Sequence, residues 1–161
     1  MVETFSYLIY LCLIRSTSQE KTLSGKEAFE IWNETFGFKV NRYHVYNGIF
    51  SEQPFRSAVE DSNHTITFCA VGYHHQNSIV ERKIKALTLG ARTLLLNAKI
   101  YFPEAINTML WPYSLKPCVE QLNELKVDDD GITPIEKFAG TTTDITLKNH
   151  HTWGFPVYLL D

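Results

Sequence analysis

Five polar side chains recur at helical spacing: Asn77, Glu81, Lys85, Thr88 and Arg92, at i, i+4, i+8, i+11 and i+15. On a helix they line one stripe. A carboxylate at the start of such a stripe, followed by cations, suits a place where a divalent metal meets a phosphate. The carboxylate would give Mg²⁺ a hard oxygen, and the cations would hold the phosphodiester. The same pattern also describes a solvated helix face, with Glu81 and Lys85 forming an i,i+4 pair of about 0.3–0.5 kcal/mol. Pattern alone leaves both readings open.

The stretch just before this stripe adds weight to the first. In "GYHHQN", Gly72 to Asn77, two histidines and two amides crowd a loop that leads into the helix. Loops on a rigid scaffold are where binding groups concentrate, although His74 and His75 could equally bond backbone carbonyls. A zinc site would have to draw on His44, Cys69, His74 and His75, whose spacing matches no recurrent ligand set. "DDDG", Asp128 to Gly131, is not a calcium loop. With Gly131 as the sixth position, Lys126 and Lys137 would stand where the first and twelfth positions need oxygen ligands. It reads as a solvated turn. In "HVYNGIF" the Asn47-Gly48 pair marks a turn, which leaves Tyr46 at a strand end beside open space.

These residues need elements to hold them. "FSYLIYLCLI", Phe5 to Ile14, is too short to span a bilayer. Glu3 stands where a signal peptide carries basic charge, so the stretch is expected to be a buried strand. Ala28, Phe29, Trp32 and Phe36 predict a helix closed by Gly37. "FKVNRYHVY" predicts a strand, Ser51 a cap for a short helix with Pro54 in its first turn, and "HTITFCAVG" a second strand. The apolar stripe Val80, Ile84, Leu87, Ala91, Leu94 and Ala98 predicts one long helix. Pro103 should open a further helix that Pro112 kinks. "PIEKFAG" should form a short helix and "FPVYLL" a last strand. Alternating strands and helices predict an α/β sheet fold.

The chain has 161 residues, 44% of them hydrophobic and 20% charged, enough for one domain with a real core. A net charge of −3 gives no global attraction for a polyanion, so a nucleic-acid partner would need a local basic patch. Three scattered cysteines, Cys12, Cys69 and Cys118, form no CxxC pair and fit a reducing, intracellular compartment. No membrane role is expected.

Several motifs then resemble one family in its order. They are "YNGIF", "FRSAVEDSNHTITFCAVGYHHQNSIVERKIKAL", "ARTLLLNAK", "PEAINTMLWPYSL", "TPIEKFAG" and "TWGFPVYLLD". Together they look like the integrase catalytic core of copia-type LTR retrotransposons, part of a Gag-Pol-like polyprotein. The resemblance implies a ribonuclease-H-like mixed sheet flanked by helices and lacking its first strand. Residues 1–125 would form the partial core, and 126–161 an extension with a short helix and strand.

By the same resemblance the family role is DNA integration. The chemistry is cleavage and strand transfer at phosphorus with two Mg²⁺ (or Mn²⁺) ions on an Asp, Asp, Glu triad. Glu81 matches the triad glutamate, as catalytic group and metal ligand. Tyr46 occupies the position of the second aspartate, and the first would lie upstream of Met1. Glu3 is no substitute, because Met1-Val2-Glu3 resembles only the end of the following strand. His75, Gln76, Asn77, Lys85 and Arg92 would contact DNA or position the site. The partners implied are retroelement ends, target DNA and further copies of the chain, in the nucleus. With one carboxylate left, the resemblance implies an integrase core that is inactive as a nuclease or strand transferase. The alternative is a non-catalytic nucleic-acid-binding or protein-interaction remnant of a retroelement.

Overall fold

Ser18, in extended conformation, accepts from the backbone N–H of Lys21 and starts α1, Gln19–Glu34. The helix closes as expected at Gly37. Phe38 N–H reaches the Asn33 carbonyl at 3.1 Å and Gly37 N–H the Glu34 carbonyl at 2.9 Å. This paired arrangement needs a left-handed residue, and Gly37 has φ +78°. The computed structural model describes residues 1–70, 77–142 and 151–155. These divide into two units, Cys12–Glu81 with Met1, and Val2–Leu11 with Arg82–Asp161.

In the first unit, β1 (Arg42–Val45) pairs in parallel with β2 (Thr65–Phe68), in the register Arg42↔Thr65, Tyr43↔Ile66, His44↔Thr67 and Val45↔Phe68. Parallel neighbours need a crossover, and α2 (Gln53–Asp61) supplies it. Ser51 does not cap this helix. It ends a 3-10 turn at Ile49–Ser51 and donates its hydroxyl to the Gly48 carbonyl, while Glu52 takes the cap position and Pro54 the first turn. Alternation along β1 buries Tyr43 and leaves Arg42 and His44 exposed. The Tyr43 ring meets Phe55 edge-on at 6.2 Å, and Phe50 meets Phe55 at 5.1 Å. Tyr43, Phe55, Phe29 and Val59 are buried in the unit's core, with Phe50 half-buried at its edge.

Lys26 is also buried, its ammonium 2.9 Å from Glu30 Oε2 and 3.0 Å from Ser62 Oγ. Glu30 Oε1 accepts the Tyr43 hydroxyl at 2.7 Å. Burial first, and the Glu30 carboxylate second, push that phenol far above its ordinary range. A buried cation is tolerated here because it is paired and hydrogen-bonded.

The second unit takes α3 (Ser78–Tyr101) from Arg82 onward, with α4 (Trp111–Glu124) and α5 (Pro134–Ala139). The apolar stripe of α3 faces inward at Ala91 and Ala98, which are fully buried, but Ile84 is exposed. Pro112 does not kink α4. It lies in the first turn, where no backbone donor is needed, and Pro117 is the proline inside the helix. Pro103 opens no helix: a turn follows α3 instead, and the chain becomes helical again only at Thr108–Leu110. Thr133 and Glu136 form a reciprocal cap at the start of α5, and Gly140 at φ +68° ends it.

The N-terminal stretch corrects the sequence expectation. Phe5–Ile14 is not a strand, and among the described residues its one ladder contact is the isolated antiparallel bridge Val2↔Ile9. The Glu3 carboxylate gathers Phe5 N–H, Ser6 N–H and the Ser6 hydroxyl at 2.6–2.8 Å, and Tyr7 is left-handed at φ +61°. A tight local turn therefore wins over extension. Beyond it, the Asn123 side chain acts as a strand partner for Ile9, accepting from its N–H at 2.9 Å and donating to its carbonyl at 2.8 Å. The expected "FPVYLL" strand lies outside the described residues except for Phe155. No described helix is long and apolar enough to cross a membrane.

Truncating Asn123 to alanine would leave both Ile9 groups buried without partners. Asn123→Ala is expected to lower stability by about 1–3 kcal/mol in urea denaturation, and an unchanged midpoint would show that water replaces the amide.

Candidate functional site

The turn after β1 is anchored to β2. Asn47 Nδ2 donates to the Cys69 carbonyl at 3.0 Å, and the Cys69 N–H reaches the Val45 carbonyl at 3.0 Å. Gly48 then reverses the chain at φ +95°, a conformation that favours glycine. This holds Tyr46 just past the strand end. Glu81 projects from the first turn of α3. The two meet: the Tyr46 hydroxyl donates to Glu81 Oε1 at 2.7 Å. Desolvation, then the hydrogen bond to Glu81 and its charge, push the phenol up to about 12, from an ordinary value near 10. Around neutral pH the pair is a neutral donor on a carboxylate.

The remaining stripe residues are distributed differently. Lys85, Thr88 and Arg92 are exposed on α3. Asn77, at the foot of the helix, is buried at 7% exposure, so its amide is not presented to a ligand. His75 and Gln76 lie outside the described residues, as does His74. The "DDDG" stretch is a turn, as the sequence indicates. Asp128 Oδ1 accepts from the N–H groups of Asp130 and Ile132, both at 3.0 Å. The Ile132 bond chiefly holds that carboxyl below its usual value, against an opposing desolvation and with help from Lys137 and the Asp130 N–H.

A two-metal centre needs several anionic oxygens to offset two dications about 3.5–4 Å apart. The donors at this position are one carboxylate, with an oxygen already engaged, and one phenol that stays protonated until about pH 12. Among the described residues no three His, Cys, Asp or Glu side chains come together as a metal site. The residues present do not fit a Mg²⁺ pair.

One grouping has only a faint sequence signal. On the same strand face, His44 Nδ1 lies 2.9 Å from Thr67 Oγ1, and His44 Nε2 lies 3.4 Å from Cys69 Sγ. Two of the four residues weighed for zinc are thus in contact. Thr67 carries no sequence signal of its own. The parallel register that sets it opposite His44 could have revealed it, had that register been known.

The fold is shared with retroviral integrase cores. The catalytic core domain of BIV integrase superposes with a TM-score of 0.62 at 18% identity, over 86% of this chain and 82% of that one. The HTLV-2 integrase catalytic core domain, a trimeric form in complex with magnesium, gives 0.60 at 18% identity, over 85% and 80%. A chain from the simian T-cell lymphotropic virus intasome in complex with PP2A regulatory subunit B56 gamma gives 0.67 at 17% identity. It is matched over 90% of this chain and 48% of its own length, so this chain spans about half of it. This likeness establishes the ribonuclease-H-like α/β fold expected from the sequence. No family model matches the chain, and no curated protein matches it.

The Tyr46–Glu81 bond has a direct readout in near-ultraviolet titration of the phenols. The difference between the native protein and Tyr46→Phe should show one tyrosine ionising near pH 12, and in a Glu81→Gln background that transition should move toward 10. The folded-state value is raised. The bond's stabilising contribution is therefore complete below about pH 10 and is lost as pH rises through about 12. A transition already near 10 in the native protein would show that the bond does not form in solution.

Proposed function

We propose that this chain is an integrase catalytic core of the copia retrotransposon type, with a family role in DNA integration, in a form that no longer carries out Mg²⁺-dependent strand transfer. The Tyr46–Glu81 hydrogen bond carries this reading. It sits at the strand end and first helical turn where the resemblance expects two metal-binding carboxylates, and it supplies one. The integrase-core fold supports the family role, and the magnesium in the HTLV-2 core structure supports the metal that such a site would use.

The chemistry of the side chains explains the loss. Strand transfer needs a nucleophilic oxygen activated, and a leaving oxygen stabilised, by positive charge at phosphorus. A protonated phenol offers Mg²⁺ no anionic oxygen. By donating to Glu81, Tyr46 also ties up an oxygen that a metal would have to recruit.

Binding can outlast catalysis. Exposed Lys85 and Arg92, on one face of α3, are the cations proposed to track a DNA backbone, together with His75 and Gln76, which precede the helix in sequence. Asn77 is buried at the start of the helix and is left out of this surface. The intasome among the similar structures supports DNA and further copies of the chain as partners. These exposed cations also favour the second reading, a non-catalytic nucleic-acid-binding remnant.

Two measurements test these readings. Calorimetric titration with Mn²⁺ or Mg²⁺ should show no saturable two-ion binding by the native protein, whereas Tyr46→Asp should gain one ion. Saturable binding of two ions by the native protein would defeat the inactive reading. In duplex-DNA binding across a salt series, Lys85→Ala with Arg92→Ala should weaken affinity and flatten the log–log slope by roughly 1–2. An unchanged slope would remove α3 from the DNA-binding surface.

A further inference from the structure

Cys69 and Cys118 are equally buried, at 4% and 3% exposure, but their thiols face different partners. Cys118 Sγ donates to the Leu87 carbonyl at 3.6 Å, and burial pushes that thiol up. A carbonyl cannot take a proton away. Cys69 Sγ instead faces an imidazole nitrogen, His44 Nε2, at 3.4 Å.

The neighbouring hydrogen bonds are consistent with one tautomer of His44. Thr67 Oγ1 donates to the Tyr43 carbonyl at 3.3 Å. With that proton engaged, the 2.9 Å contact between His44 Nδ1 and Thr67 Oγ1 is made by a ring that donates from Nδ1. In this tautomer Nε2 is an acceptor, aimed at the Cys69 thiol. The strands enforce this geometry. His44 is paired with Thr67 across the parallel ladder, and Cys69 follows Thr67 on the same face, so one ring bridges both.

We infer that Cys69, His44 and Thr67 form a reactive thiol site for small, uncharged soft electrophiles, with Cys69 as nucleophile, His44 as its base and Thr67 as the residue that orients the base. The thiol proton passes to His44 Nε2 as the sulfur attacks. With an alkyl halide, the S–C bond forms as the C–halogen bond breaks and halide leaves. The exposed imidazolium then returns its proton to water. The site uses neither Tyr46 nor Glu81 and does not depend on the proposed function.

The test is iodoacetamide labelling of the full chain at neutral pH, followed cysteine by cysteine by peptide mass spectrometry. Cys69 should label at least roughly tenfold faster than Cys118, because only Cys69 has a proton acceptor. His44→Gln should slow Cys69 by roughly tenfold or more and leave Cys12 and Cys118 unchanged. Free imidazole added to His44→Ala should restore the Cys69 rate alone, a rescue that a purely structural role would not give. Equal rates at Cys69 and Cys118 in the native protein, or an unchanged Cys69 rate in His44→Gln, would overturn the proposal. If His44→Gln opens the fold, seen as a rise at Cys118, Thr67→Val carries the test. Slower Cys69 labelling there supports the site, and a native rate refutes it.

Discussion

The parallel pairing of β1 with β2 is the constraint from which the first unit's chemistry follows. Its register sets His44 opposite Thr67 and brings the Cys69 N–H onto the Val45 carbonyl. That last bond carries the ladder to the very end of β1, so the turn beginning at Tyr46 starts from a fixed point. Asn47 strengthens it by donating to the Cys69 carbonyl. A slip of one residue would send His44 and Tyr46 to the opposite face and bury them where Tyr43 now packs on Phe55. The core contact of Tyr43 and the placement of the polar groups are therefore one decision.

That decision fixes where a group stands but not which group it is. A strand end beside a turn, facing the first turn of a long helix, would suit two carboxylates separated by metal ions. Two carboxylates without metal would repel each other. A phenol and a carboxylate need no ion between them, because one donates to the other at 2.7 Å. A tyrosine facing a glutamate is thus an arrangement satisfied without cations, where two carboxylates would require them. The tyrosine supplies its own reason for the two elements to meet.

Much of the fold was legible because it is locally determined. The long helix follows from the recurrence of Ala91, Leu94 and Ala98, the end of α1 from Gly37, and α5 from the "PIEKFAG" stretch. The failures come from interactions that no local window contains. Phe5–Ile14 has the composition of a strand, yet Asn123, 114 positions away, supplies the bonds that a neighbouring strand would have made. Pro112 reads as a helix breaker only if the helix has already begun, and it begins one residue earlier, at Trp111. At the site, the odd placement of Tyr46 could be read through family resemblance, but its bond to Glu81 could not. That bond depends on where a helix start lies relative to a strand end, and α2 and β2 separate the two along the chain, so no fixed period connects them.

The two polar groupings on this strand face are also electrically connected. Besides desolvation and Glu81, the charge of Cys69 contributes to raising the Tyr46 phenol, as the smallest of the contributions. The ordering matters. Because desolvation and the bond to Glu81 come first, the elevation of the phenol does not hang on the thiol, and around neutral pH Tyr46 presents a neutral hydroxyl to Glu81 and to the strand face beside it.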